Sequence, residues 1–120
     1  MKVSNYPAIA AATSTGTTPV YSAAIPCTSL VQGSVQMTSS SGSNAGAVLL
    51  QASNDLPPAG TTAPFTPTNW TTVPDTIQTV TAGGIVLIPT TLLAYQWVRV
   101  AWVPTAGAGT VTANFVALGF

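Results

Sequence analysis

The sequence predicts an all-β fold, an antiparallel β-sandwich or jelly roll of about eight strands with an extended N-terminal arm. Three observations predict it. Short apolar runs rich in Thr, Val and Ile, which suit a pleated sheet, are separated by turn residues at intervals of about ten positions. Lys and Arg together number two in 120 residues and Glu is absent, so charged helix formers are scarce. No window shows the amphipathic period of a helix.

The chain is long enough for one domain with its own core. Residues 1–19 are small and polar and keep no sustained period. We interpret them as an N-terminal arm that either packs on a neighbouring molecule or is mobile. Residues 20–120 carry the strand pattern and are the predicted β-sandwich domain.

Eight strands are predicted in this domain, each an apolar, β-branched run bounded by turn residues. They are Val20–Ile25, Ser29–Ser39, Ala47–Ser53, Trp70–Val73, Thr76–Thr81, Ile85–Ile88, Tyr95–Val103 and Thr110–Leu118. Two Gly-containing connections are typical of hairpins, Gly83–Gly84 before the sixth strand and Thr105–Gly109 before the eighth. Ser40–Gly46 is predicted as a loop, because Ser, Asn and Gly tolerate turn conformations.

The longest irregular segment is Asn54–Asn69. It contains four prolines, which cannot donate hydrogen bonds to a sheet ladder. A loop of this length in a small domain is usually functional or makes an interaction. We therefore expect this loop and the arm to contact other molecules.

Two of the strands indicate how the sheets are covered. Tyr95–Val103 carries bulky apolar side chains at both odd and even positions, so it is predicted to be central and covered on both sides, by a second sheet or by another subunit. In the last strand one alternating set is the better core face. Its members are Val111, Ala113, Phe115 and Ala117.

The scarcity of ionisable residues excludes several classes of function. Charged residues make up 3% of the chain, against about 25% in an average domain, and there is no histidine. A conventional nucleic-acid interface needs clusters of Lys and Arg. A zinc site needs about four Cys, His or carboxylate ligands, and a Ser-His-Asp arrangement needs a histidine. We expect no nucleic-acid partner, no metal, no cofactor and no enzymatic activity.

The formal net charge is zero, which also bears on association. Small soluble domains usually keep a net charge that holds copies apart. A nearly neutral exterior is either a hydroxyl-rich soluble surface or a surface that sister subunits cover, and we favour the second interpretation. No segment has the form of a targeting signal or a membrane span. Cys27 is the single cysteine, so it cannot form an internal disulfide, and it is predicted to be a small buried hydrophobe.

Arg99 is the most conspicuous candidate residue, because it interrupts an aromatic, apolar strand. A buried guanidinium needs a partner. We predict a structural ion pair of Arg99 with Asp55 or Asp75, or contacts with loop carbonyls, that fastens a loop to the sheet. A ligand-binding role for Arg99 is the alternative. The two aspartates lie in turn contexts where Asp commonly bonds local backbone, which disfavours a glycosidase pair. A calcium site is disfavoured because one or two carboxylates make only a weak site.

The aromatic residues are the other candidates. Those considered for an interface or a ligand are Trp70, Trp97, Trp102 and Tyr95, with Tyr6 and Tyr21 as further members of a sugar-stacking platform. Core packing or a subunit interface is the competing interpretation. Trp97 and Trp102 are expected on opposite faces of one strand, so they cannot form one platform. Trp70, beside the proline-rich loop, is the best ligand candidate.

Three motifs resemble a known domain type. They are a strand that ends in Gln51-Ala52-Ser53-Asn54-Asp55, the pair Asn69-Trp70 after the loop, and the strand Tyr95-Gln96-Trp97-Val98-Arg99-Val100 followed by a Gly-rich connection. Over residues 47–118 this pattern is similar to small β-sandwich domains of bacteriophage virion structural proteins, and more loosely to discoidin-like jelly rolls.

The resemblance implies a capsid, decoration or tail-associated subunit located in the virion. Such a subunit is a homo-oligomer that also contacts other virion proteins and catalyses no reaction. The alternative function is a carbohydrate-binding or receptor-recognition module, in which a glycan is the partner and Trp70 is exposed.

Overall fold

The computed structural model describes residues 2–40, 45–60, 64–81 and 84–119. These residues form ten strands and no helix, so none of them belongs to a helix long and apolar enough to cross a membrane. The strands are β1 (Lys2–Thr15), β2 (Val20–Tyr21), β3 (Ile25–Pro26), β4 (Leu30–Ser39), β5 (Ala45–Ser53), β6 (Thr71–Thr72), β7 (Gln78–Val80), β8 (Ile85–Leu92), β9 (Trp97–Ala106) and β10 (Ala108–Gly119).

The strands form two antiparallel sheets that pack face to face. The first sheet has the order β1-β10-β4-β8. The second has the order β2-β9-β5-β6, with β3 also paired to β9 and β7 also paired to β5. The predicted all-β sandwich is therefore confirmed.

The core lies between the two sheets and is built from the inward-facing positions of the long strands. Its largest fully buried side chains are Trp102 from the second sheet and Phe115 and Met37 from the first. In β10 the residues predicted to face the core are all at most 1% exposed, which confirms that face. Burying a side chain of this size contributes about 1.5–3 kcal/mol, so the alternation along these strands supplies much of the driving force for folding.

The N-terminal segment is extended, as expected, but it belongs to the sandwich. Residues 2–15 form β1, which pairs with β10 from Lys2 opposite Gly119 to Thr15 opposite Ala108. The register shifts between Tyr6 and Ile9 and again between Ile9 and Ala12. Each shift adds one residue to β1, as in a β-bulge, which explains why the sequence shows no sustained period here.

The two connections predicted as hairpins join strands of different sheets. β7 pairs with β5 while β8 pairs with β4, and β9 lies in the second sheet while β10 lies in the first. Gly107, with φ +84°, is the one residue between β9 and β10 and turns the chain from one sheet to the other. The hairpin predictions were wrong because a glycine indicates a turn but not which sheet the next strand joins. Gly83 and residues 41–44 of the predicted Ser40–Gly46 loop lie outside the described residues.

Several other boundaries also differ from the prediction. The predicted strand Val20–Ile25 is two short strands, because the Ser22 hydroxyl accepts a hydrogen bond from the Val100 amide (2.9 Å) between them. β8 continues past Ile88 to Leu92. It does so through a register shift between its pairings Ile88–Val35 and Thr91–Gly33.

Candidate functional site

The three motifs singled out in the sequence meet at one end of the second sheet. The antiparallel register of β5 and β9 places Gln51 opposite Arg99 and Ser53 opposite Trp97. β6 pairs with the same end of β5, so Trp70, which directly precedes β6, reaches the same region. This end of the sheet is therefore the candidate functional site.

Asp55 closes the base of the long loop. Its Oδ2 accepts hydrogen bonds from the amides of Thr68 (2.8 Å) and Asn69 (3.0 Å), and its Oδ1 accepts one from the Asn69 side-chain amide (3.0 Å). These donors, led by the Asn69 amide, lower the pKa of Asp55, because they stabilise the ionised carboxylate. The two ends of the Asn54–Asn69 segment are thereby fastened to each other.

The same loop is also fastened to β9. The Trp97 indole donates to the backbone carbonyl of Asp55 (3.1 Å), and the Gln96 amide donates to Oδ1 of Asn54 (3.0 Å). Phe65, from the middle of the loop, lies with its ring centroid 6.1 Å from that of Trp97. The outer face of β9, opposite the core, is therefore partly covered by the protein's own loop.

Arg99 is held by one amide and two aromatic rings. Its Nε donates to Oε1 of Gln51 (2.7 Å). The guanidinium carbon lies over the ring of Tyr21, 3.9 Å from the centroid, and over the ring of Trp70, 4.4 Å from the centroid. Partial burial lowers the pKa of Arg99 from its ordinary value. We call Tyr21, Gln51, Trp70 and Arg99 the Arg99 cluster.

The predicted ion pair does not form. Within the described residues, Arg99 contacts neither Asp55 nor Asp75. Asp55 lies beyond the end of β5 with its carboxylate bound to the loop. Asp75 lies in a turn after Pro74 with φ +62°, a position outside the ladder that carries Arg99. The contacts of Arg99 still join β9 to β2, to β5 and to the end of the loop, so its role as a fastener stays a prediction with different partners.

The four aromatic candidates have different environments. Trp102 is fully buried in the core and donates its indole N–H to Oγ of Ser14 (2.8 Å). Its prediction as an interface or ligand residue was therefore wrong, because its side chain reaches no surface. Trp97 is half-buried under the loop.

Tyr95 is half-buried and lines an open cleft of about 430 Å³ together with Asn54, Asp55 and Asn69. Trp70 is half-buried beside Arg99, and its indole donates to the Pro67 carbonyl (3.2 Å).

Two residues of the Arg99 cluster have roles that the sequence analysis missed. Tyr21 was considered only as one of several aromatic residues, and Gln51 only as part of the motif at the end of its strand. Neither was expected to contact Arg99. A signal for Gln51 existed, because it is a polar residue inside the apolar run Val48–Ala52 of a predicted strand. No three His, Cys, Asp or Glu side chains come together anywhere in the part of the chain that the structure describes.

Comparisons with known proteins support the fold. No family model and no curated protein sequence matches the chain. The PBSX exported protein XepA superposes with a TM-score of 0.73 at 11% identity, over 98% of this chain and 37% of that chain. A chain from infectious bursal disease virus, Gx strain, superposes with a TM-score of 0.48 at 14% identity, over 97% of this chain and 31% of that chain. The likeness to XepA shows the sandwich fold, and the chain spans 37% of its length.

Proposed function

We propose that the chain is a non-enzymatic structural component of a bacteriophage particle, in the capsid, as a decoration protein or associated with the tail, and that it acts by self-assembly. The observation that carries the proposal is the outer face of edge strand β8. Ile85, Leu87 and Leu92 expose 63%, 61% and 68% of their surface there. We call these three residues the β8 patch.

The register explains why the β8 patch is one surface. Ile85 and Leu87 lie opposite Thr38 and Gln36 on β4, on the face away from the core. The register shift after Ile88 adds one residue and reverses the alternation, so Leu92 returns to the same face opposite Gln32. Within β8 Pro89 cannot donate a ladder hydrogen bond, which limits edge pairing to the first half of the strand. Side-chain packing therefore carries the contact.

The partner that best fits this face is a second copy of the chain. Neither β8 nor β4 contains an ionisable side chain, so two copies meet without like-charge repulsion. A standard interface takes about 800 Å² from each partner, roughly an eighth of this chain's accessible surface of 6403 Å². The fold is shared with part of a phage exported protein, which supports a role in a phage particle, and virion proteins are then the further partners.

The oligomeric state tests this proposal. Sedimentation velocity of the native protein is expected to show an oligomer, and Leu87→Lys is expected to dissociate it, because the lysine ammonium must be desolvated in the contact. Leu56→Lys is the matched control, since Leu56 is a similarly exposed leucine (68%) in the loop. A native protein that stays monomeric at high concentration, or equal behaviour of the two variants, contradicts assembly through β8.

A second candidate function is a carbohydrate-binding or receptor-recognition module. The observation that favours it is the position of Trp70, which is not buried in the core but lies on the outer face beside Arg99 and Tyr21. Binding of glycans on an array, lost in Trp70→Ala, is the expected result. An array without hits would contradict this candidate.

A further inference from the structure

No carboxylate among the described residues contacts the guanidinium of Arg99, so its positive charge is not neutralised by a neighbouring side chain. The chain has two basic residues, and the other, Lys2, lies at the exposed start of β1. A guanidinium has five N–H donors, and only Nε–H of Arg99 has a protein acceptor among the described residues, Oε1 of Gln51. A charged donor without a protein acceptor must face water. The four remaining N–H groups of Arg99 are therefore available to a ligand.

The guanidinium is also held in place before any ligand arrives. Gln51 binds its Nε, and the rings of Tyr21 and Trp70 lie 3.9 Å and 4.4 Å from its central carbon. The Trp70 indole is fixed in turn by its hydrogen bond to the Pro67 carbonyl. A ligand that binds this group avoids much of the entropy cost of ordering a long side chain.

We propose that the Arg99 cluster binds a carboxylate-bearing saccharide of the uronic acid type. The planar guanidinium matches a carboxylate and donates two parallel hydrogen bonds to it. Tyr21 is 47% exposed, and the part of its ring that Arg99 does not cover packs against the C–H face of the sugar. This inference specifies the ligand class of the carbohydrate-binding candidate and does not depend on self-assembly through β8.

Other ligand classes fit the cluster less well. A nucleic acid needs several cations along its backbone, and this face has one. A neutral sugar packs on the rings but leaves the guanidinium without its anion. A simple carboxylate pairs with Arg99 but makes no use of the exposed Tyr21 ring. An acidic sugar engages both features.

Nuclear magnetic resonance tests the proposal directly, because a protein with one arginine gives one Nε–Hε signal. The ¹⁵N-labelled native protein is titrated separately with methyl glucuronide, methyl glucoside and acetate. We expect methyl glucuronide to shift the Arg99 signal saturably, at concentrations about tenfold or more below those that acetate requires. Methyl glucoside is expected to give no saturable shift.

Three outcomes would overturn the proposal. No saturable shift with methyl glucuronide removes the site. An equal response to methyl glucoside leaves carbohydrate binding in place but removes the role of the carboxylate. An equal response to acetate shows that the sugar ring contributes nothing.

Variants separate the cluster from general charge attraction. Arg99→Lys keeps the charge and loses the planar fork, so binding, followed by the Gln51 side-chain amide signal, is expected to weaken about tenfold or more. Lys2→Gln removes the other cation and is expected to bind as the native protein does; equal weakening in this control refutes the assignment. If Arg99→Lys does not fold, Tyr21→Ala is measured instead. It keeps the backbone pairing of β2 and is expected to bind roughly fivefold more weakly, and unchanged binding contradicts the role of the ring.

Discussion

Replacing Ser14 with alanine measures how firmly the first strand belongs to the sandwich. Ser14 lies near the end of β1, is 0% exposed, and its hydroxyl accepts the indole N–H of Trp102 at 2.8 Å. Trp102 is itself fully buried in β9 of the other sheet. The hydrogen bond therefore joins the two sheets through the core, far from solvent.

The cost of Ser14→Ala follows from this burial. The variant leaves the indole N–H without its acceptor in a water-free site, and such a loss costs about 1–3 kcal/mol. This corresponds to a factor of roughly 5–150 in the unfolding equilibrium constant, and to a fall in Tm of about 4 °C per kcal/mol for a domain of this size. A typical domain has only about 5–15 kcal/mol of total stability, so the effect is readily measured.

Urea unfolding followed by far-UV circular dichroism gives the free energy. Thr13→Ala is the control, because Thr13 is an exposed neighbour in the same strand and its replacement is expected to change stability by no more than about 0.5 kcal/mol. In a Trp102→Phe background, which has no indole N–H, Ser14→Ala is expected to cost clearly less than in the native protein. If Ser14→Ala and Thr13→Ala are equally mild, residues 2–15 are not an integral strand and the argument fails.

Two further predictions concern the titratable groups. The pKa of Asp55 is lowered in the folded protein, so the contribution of its carboxylate to holding the loop is complete above the ordinary value of 3.8 and is lost as the pH falls through the lowered pKa. The amide signals of Thr68 and Asn69 should follow that titration in the native protein but not in Asp55→Asn. A midpoint at or above 3.8 contradicts the hydrogen-bonded carboxylate. Burial raises the pKa of the Cys27 thiol to about 11, so iodoacetamide at mildly alkaline pH should modify the native protein much more slowly than the urea-unfolded chain, and equal rates by mass spectrometry would show that the thiol is accessible.

The sequence was informative where the alternation of side chains is unbroken. β10 keeps a strict period of two over its buried residues, and β4 keeps it from Gly33 to Ser39, so both strands and the core face of β10 were predictable. β9, in which residues 100–102 are all buried, was predictable from its continuous apolar run instead. β1 was not recognised as a strand because its two extra residues shift the inward positions from Ser4 and Tyr6 to Ile9 and then to Ala12 and Ser14. A bulge leaves β1 paired with β10 but removes the periodic signal from the sequence.

The partner of Arg99 shows a different reason for failure. Charge alone suggested an aspartate, because a half-buried cation is expected to lie near one of the two available anions. Which residue faces Arg99 depends on the pairing register of β5 and β9, and that register places Gln51 directly opposite. Asp55, four residues further along the chain, lies beyond the end of β5 at Ser53, and the loop amides bind its carboxylate. The absence of an internal anion is thus a consequence of strand register, and it leaves the guanidinium's charge free for a carboxylate from outside.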